Sequence, residues 1–367
     1  MINAISLLIK PASSLCNMRC KYCFYHDVAE NRLTASYGIM SEETVEQLLT
    51  RVWEYVSDTA QILFAFQGGE PTLAGLSFFQ YFVEAAAKRK LPAQQISYAI
   101  QTNGLVLDED WCRFLHTHNF LVGISLDGMP ELHDMHRVDS KGVGTAGRIF
   151  QSIQCMEKHK VEYNILSVVT RAMARKPEKT WNWYVSKRYK YLQFIPCLSP
   201  FDSAEEEKYA LTPRLYADFL IATFRGWKHQ LEVGNYISVR LFDNLVMLLK
   251  GYPSHQCGML GRCSQQWVVE ADGSVYPCDF YVLDEHRCGS VQEMTFEEME
   301  QADNTKAFLQ PTTQLHPQCA TCKVFKICGG GCKRYRDFYH QEEGFCPYQT
   351  FLYAIWGELT EVARKLQ

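Results

Sequence analysis

The chain has 367 residues, of which 47% are hydrophobic and 21% charged, with a net charge of -4. This is the balance of a folded protein of roughly two domains rather than a disordered chain. That charge offers no basic surface for a nucleic-acid backbone or an anionic membrane, and the longest apolar runs, such as Ile62–Phe66, fall far short of the ~18 residues of a membrane span. Met1 to Lys10 lacks the basic flank and apolar stretch of a secretory signal, so the expected location is the cytoplasm. The chain carries 15 cysteines. The count is odd and below the ~8–10% of a disulfide scaffold, so in a reducing compartment metal ligation or catalysis is the expected use.

In chain order, strand-like runs fall at residues 6–9, 62–66, 96–100, 120–124, 161–169 and 191–195. Helical patterns separate them, at residues 42–56, 77–90, 109–118, 144–160 and 178–189. Ser41 before Glu42 and Glu43 reads as an N-cap with acidic first-turn residues, which suits the positive end of a helix dipole. Six strands alternating with helices predict an α/β fold, a parallel sheet curled into a barrel or half-barrel, with functional loops at the strand C-terminal ends. A connection from Leu198 to Thr212 leads to one more helix, over 213–230. After about residue 235 turns, glycines and nine of the 15 cysteines appear, which predicts a domain of residues 1–235 followed by a second of residues 236–367.

The first cysteine cluster is Cys16-x3-Cys20-x2-Cys23, in the loop after the first strand. Three close thiolates can hold three irons of a [4Fe–4S] cube and leave the fourth open to S-adenosylmethionine, whose reductive cleavage yields a 5′-deoxyadenosyl radical. A zinc knuckle is the alternative, although structural zinc prefers four closed ligands. Further on stand Cys257, Cys263 and Cys278, then Cys319, Cys322, Cys328 and Cys332, then Cys346. These eight thiolates suffice for two more [4Fe–4S] clusters, or for two zinc sites. Cys112, Cys155, Cys197 and Cys288 lie outside any ligand spacing. The first two fall on helical patterns as small apolar residues, and Cys197, just past the sixth strand, is a candidate to face the site.

The first cluster resembles the fingerprint of the radical S-adenosylmethionine superfamily. Gly68-Gly69-Glu70-Pro71 after the second strand resembles that family's loop for the methionine amino group. Thr102-Asn103-Gly104 and Ser125-Leu126-Asp127-Gly128 follow the next two strands in the same way. The C-terminal cysteines resemble the SPASM extension of protein-modifying radical enzymes. Longer blocks, residues 6–14, 37–40, 64–75, 101–104 and 273–284, resemble anaerobic sulfatase-maturating enzymes over nearly the whole chain.

The resemblance implies a partial (β/α)6 radical-SAM barrel followed by a small SPASM domain with two auxiliary clusters. By it, Cys257, Cys263, Cys278 and Cys332 hold the nearer auxiliary cluster and Cys319, Cys322, Cys328 and Cys346 the farther one. Three [4Fe–4S] clusters and S-adenosylmethionine are then the cofactors. The implied reaction is oxidation of a cysteine or serine in a Cys/Ser-x-Pro-x-Arg motif of a sulfatase polypeptide to Cα-formylglycine, under anaerobic conditions, with a flavodoxin or ferredoxin as electron donor. Asp279 is the implied base, though an aspartate after Pro277 also suits a turn. Tyr25, Gly69, Ser125, Arg137 and Leu198 are the implied S-adenosylmethionine contacts, Arg137 being open to a surface role as well. Gln67 is a candidate contact of substrate or cofactor. The competing expectations are a SPASM enzyme that forms thioether or carbon–carbon crosslinks in a ribosomal peptide, a glycyl-radical-enzyme activase, and a non-enzymatic electron carrier. Only 15 residues precede Cys16, which weighs against the N-terminal peptide-recognition domain of many crosslinking enzymes. The carrier reading gives Glu70 and Asp279 no role.

Overall fold

The computed structural model describes residues 1–201, 208–310 and 315–366, so the middle of the 198–212 connection lies outside the described residues. The chain forms two compact units that interleave in sequence. The first comprises Met1–Ser125, His136–Tyr163 and Ser264–Leu309, and the second Leu126–Met135, Asn164–Cys263 and Gln310–Gln367. Both draw segments from either side of residue 235.

In the first unit, β1 (Ile2–Ile9), β2 (Val56–Phe66), β3 (Gln95–Thr102) and β4 (Phe120–Ser125) pair in parallel, each with the next. Parallel strands are buried on both faces, and the register sets apolar side chains abreast: Leu7 lies opposite Phe64, Phe64 opposite Tyr98, and Tyr98 opposite Phe120. The Tyr98 and Phe120 rings stack with centroids 5.0 Å apart, and Phe82 meets Phe64 edge-on at the same distance. Two of the helices between them are capped by side chains, the first at the expected Ser41 and the other at Asp108. Ser41 Oγ accepts from the Thr44 amide at 3.1 Å ahead of the helix Glu42–Tyr55, and Asp108 Oδ1 accepts from the Trp111 amide at 3.0 Å ahead of Glu109–Thr117.

The second unit holds β5 (Tyr163–Val169), β6 (Tyr191–Pro196) and β7 (Ser238–Val239), again parallel. It also holds the helices Pro213–Glu232, Arg240–Leu249 and Pro347–Lys365, whose core is aromatic: Phe224 packs on Phe242 at 5.4 Å and on Phe351 at 6.3 Å. Two of these helices were not expected after residue 235.

The cysteine-rich part also returns to the first unit's sheet. There β8 (Trp267–Val269) runs parallel to β1, with Leu7 opposite Trp267. Next come β9 (Ser274–Tyr276) and β10 (Gly289–Ser290), each antiparallel to its neighbour. This carries Cys278 and Asp279, which follow β9 directly, into the same unit as the loop after β1.

Candidate active site

Three loops at the C-terminal ends of β1, β2 and β3 meet at Glu70, whose carboxylate ties the second to the third and whose backbone ties the second to the first. Glu70 is 1% exposed. Its Oε1 accepts from the Thr72 amide (3.1 Å), the Thr72 hydroxyl (2.6 Å) and the Thr102 hydroxyl (2.7 Å), and its Oε2 from the Asn103 amide (2.7 Å). Burial raises this carboxyl above its ordinary value, while the Asn103 amide and the Thr72 and Thr102 donors oppose the rise. The Glu70 amide in turn donates to Leu15 O at 2.7 Å, and the Gly69 amide to Ser13 O at 2.8 Å. A Cβ on Gly69 would stand 2.2 Å from Leu15 O, so only glycine lets the two backbones approach this closely.

The loop so fixed is the one bearing the first cysteines. Cys16 Sγ accepts from the Met18 amide at 3.4 Å and from Asn103 Nδ2 at 3.8 Å. Arg137, on the chain returning after His136, brings Nη1 to 3.9 Å from Cys20 Sγ and lies over the Tyr22 ring, 5.4 Å from its centroid. Cys23 caps the helix Phe24–Glu30. Burial pushes the Cys16 thiol up to about 11, against the pull of the Met18 amide. Amide and guanidinium donors aimed at these sulfurs are the surroundings that stabilise metal-bound thiolates. Ser125, at the end of β4, accepts from Gln101 Nε2 at 3.1 Å.

Asp279 is the centre of a second cluster in the same unit. Its Oδ2 accepts from the Tyr25 hydroxyl at 2.8 Å and from Gln67 Nε2 at 2.7 Å. Its Oδ1 is buried and accepts no hydrogen bond. The Lys10 ammonium stands 3.4 Å from that oxygen, as a charge partner outside hydrogen-bonding geometry. Lys10 is 3% exposed and lies 4.6 Å from the Tyr25 ring centroid and 4.0 Å from Glu270 Oε1. Glu270 is held at 2.7 Å by Arg32. Burial, and then the neighbouring Asp279, keep the Tyr25 phenol protonated far above its usual range, so it serves as a donor. The result is a carboxylate fixed through one oxygen and open at the other.

The second unit gathers the remaining cysteines in two groups. Cys257, Cys263 and Cys332 lie near one another: burial, then Cys257, raises the Cys263 thiol, burial raises that of Cys332 with Cys257 and Cys263 adding to it, and Gly258 packs against Cys332. The fourth residue expected with them, Cys278, belongs to the first unit. Cys319, Cys322, Cys328 and Cys346 line one pocket together with Phe325, Tyr339, His340 and Tyr348. The chain folds tightly there because Gly329 lies against Gly261: a Cβ on Gly329 would stand 2.4 Å from the Gly261 backbone. Among the described residues, no three of His, Cys, Asp or Glu close on a single metal ion. Leu198, partly buried, follows β6 in this second unit, with Cys197 buried beside it. Cys112 is fully buried and Cys288 3% exposed.

The first unit thus brings Cys16, Cys20, Cys23, Gly69, Ser125 and Arg137 to neighbouring loops, and joins Tyr25 and Gln67 to Asp279. Lys10, Glu270 and Arg32 were missed by the sequence reading. Lys10 ends the first strand run, and Glu270 follows three apolar strand residues; a charge so placed in a buried strand end was the one available signal.

The family profile described as Radical SAM superfamily matches residues 11–173, and that of SPASM, an iron–sulfur cluster-binding domain, matches residues 257–323. The class is therefore a radical S-adenosylmethionine protein with an iron–sulfur extension. A cysteine-type anaerobic sulfatase-maturating enzyme of Clostridium perfringens (strain 13 / Type A) is 44% identical over 369 residues, 99% of each chain. A serine-type anaerobic sulfatase-maturating enzyme of Klebsiella aerogenes is 32% identical, over 98% of this chain and 87% of that one. The solved structure described as "Native anSMEcpe with bound AdoMet and Kp18Cys peptide" matches with a TM-score of 0.91 at 42% identity, covering 99% of both chains. The chain belongs to the anaerobic sulfatase-maturating enzymes of the radical S-adenosylmethionine superfamily. The expected barrel with its SPASM extension is the fold of that family.

Proposed function

We propose that this enzyme oxidises a cysteine in the Cys-x-Pro-x-Arg type motif of a sulfatase polypeptide to Cα-formylglycine, in the cytoplasm and without oxygen. Identity supports cysteine over serine as the target: 44% to the cysteine-type relative against 32% to the serine-type one. In this reading residues 1–235 form the radical and residues 236–367 hold the auxiliary clusters. Three [4Fe–4S] clusters are assigned: Cys16, Cys20 and Cys23 for the first, Cys257, Cys263, Cys278 and Cys332 for the second, and Cys319, Cys322, Cys328 and Cys346 for the third. The last four thiols line one pocket, and the match of residues 257–323 to an iron–sulfur cluster-binding domain favours clusters over zinc for the C-terminal cysteines. When bound, the first cluster and S-adenosylmethionine supply a 5′-deoxyadenosyl radical that removes a hydrogen atom from the substrate Cβ.

The chain's own residues do the rest. Tyr25, Gly69, Ser125, Arg137 and Leu198 are assigned to S-adenosylmethionine, with Arg137 offering a donor fork to a carboxylate or ribose. Asp279 takes the remaining proton, the second electron would pass to an auxiliary cluster, and hydrolysis of the resulting thioaldehyde would give the aldehyde and hydrogen sulfide. The observation that carries this is the carboxylate itself: Oδ2 is fixed by Tyr25 and Gln67 at 2.8 and 2.7 Å, while buried Oδ1 has no hydrogen bond and so is free to accept one. A positioned base needs that combination of fixed orientation and a free lone pair. A flavodoxin or ferredoxin is the proposed electron donor.

The test incubates reduced enzyme with matched sulfatase peptides that differ only in cysteine or serine at the target position, and follows their masses. Aldehyde formation on the cysteine peptide is expected. Deoxyadenosine release with no aldehyde on either peptide refutes the assignment.

A further inference from the structure

The wall of the third thiol pocket carries, beside Gln318 and Gln349, a histidine that is not a proposed ligand. His340 lines it and brings Nε2 to 3.9 Å from Cys319 Sγ. The other ring nitrogen, Nδ1, is buried and has no hydrogen-bond partner. His316 covers the imidazole face to face, with centroids 3.8 Å apart and planes 11° from parallel. His316 is itself anchored, its Nδ1 accepting from the Gln318 amide at 3.3 Å at the start of the helix that carries Cys319. The ring is thus stacked on His316, and among the described residues the one hydrogen-bond partner of its side chain is a sulfur.

We infer that His340 donates an Nε2–H hydrogen bond to the Cys319 thiolate and thereby raises the reduction potential of the third cluster. This rests on the proposed assignment of Cys319, Cys322, Cys328 and Cys346 to a cluster. A neutral imidazole carries one N–H, and which nitrogen bears it follows from the partners. A thiolate can only accept, so the proton belongs on Nε2. A hydrogen bond to a ligand sulfur stabilises the reduced state, which carries one more negative charge, more than the oxidised state. No bond is made or broken, and the cluster takes up a single electron. His340 acts through the sulfur, so it is a positioning residue.

The experiment is a redox titration of the reconstituted holoenzyme followed by EPR, for the wild type, His340→Phe and His340→Gln. His340→Phe keeps an aromatic ring against His316 and removes the donor. Its third-cluster signal should titrate at a more negative potential, with the other two clusters and the iron content unchanged. His340→Gln restores an N–H and should recover most of the shift. A His340→Phe potential equal to the wild type's, with the cluster present, overturns the inference. Should His340→Phe lose the cluster, wild-type enzyme labelled with 15N-histidine decides. Pulsed EPR of the reduced third cluster should show a weakly coupled histidine nitrogen and an exchangeable proton, and their absence overturns the inference. The underlying assignment is checked separately. If Cys319→Ala removes no iron, the cluster reading itself fails, whereas an intact third cluster with an unmoved potential sinks His340 alone.

Discussion

Replacing Asp279 by asparagine separates proton transfer from radical formation. The asparagine carbonyl can occupy the Oδ2 position and keep both donors, Tyr25 at 2.8 Å and Gln67 at 2.7 Å. The amide nitrogen then replaces Oδ1, the oxygen that has no hydrogen bond and faces Lys10 at 3.4 Å. The shape of the site is preserved, and the free lone pair becomes a donor. Loss of a positioned base costs about 10²–10⁴-fold in rate, roughly 2.7–5.5 kcal/mol of barrier. Lys10 also loses a buried counter-charge. Breaking a buried pair costs about 3–5 kcal/mol when nothing remains, and here Glu270 remains at 4.0 Å, so the loss of stability should fall below that range. The assay measures iron content, 5′-deoxyadenosine and aldehyde-containing peptide in one reaction. Iron and deoxyadenosine should persist, because the sulfurs of Cys16, Cys20 and Cys23 are untouched, while the aldehyde falls by about 10²-fold or more. If both products fall together, or neither does, Asp279 is not the base.

Three further outcomes follow from the same coordinates. Anaerobically reconstituted enzyme should carry about twelve irons, and replacement of Cys16, Cys20 and Cys23 by alanine should remove about four; iron analysis showing zinc, or saturation near four irons, refutes the three-cluster assignment. Glu70→Ala leaves the buried Thr72 and Asn103 amides without their acceptor. At about 1–3 kcal/mol for each orphaned donor, denaturant unfolding should show a loss of roughly 2–6 kcal/mol, and a loss near zero would mean that the loops are held otherwise. Cys112 is fully buried, and burial with the neighbouring Cys155 pushes its thiol up to about 12. At pH 8–9 it is therefore almost wholly protonated, and iodoacetamide followed by mass spectrometry should find it unlabelled in the folded holoenzyme; labelling as fast as an exposed thiol contradicts its place in the core.

The sheet was legible because its signals are local. Each of the six expected strand runs lies within a strand or overlaps one, and the expected cap at Ser41 opens the helix that follows it. What escaped was either too short or too distant in sequence. Strands β8, β9 and β10 have three, three and two residues, below any length at which period-2 alternation can be read, and the pairing of β8 with β1 joins residues some 260 apart. The helix Pro347–Lys365 does carry a readable apolar face in Phe351, Leu352, Ile355, Leu359 and Val362, and a proline at its first turn. It was passed over because the cysteines and glycines just before it dominate that stretch. Arg32 meets Glu270 across 238 residues, a pairing that no single-sequence pattern encodes.

The Gly-Gly-Glu segment shows how a motif can be legible in position and still conceal its physical role. Its likeness to a cofactor loop directs attention to what it binds, yet in the folded chain all four of Glu70's donors are the protein's own. The carboxylate ties the end of β2 to the end of β3, the Gly69 and Glu70 amides tie the same loop to the end of β1, and Asn103, held by its amide, turns its side chain to Cys16 Sγ. A displaced Glu70 would therefore be felt at the first cysteine through one intervening residue. That chain of contacts explains why glutamate rather than aspartate serves here: the longer side chain reaches two neighbouring loops with two oxygens while its backbone stays bonded to a third.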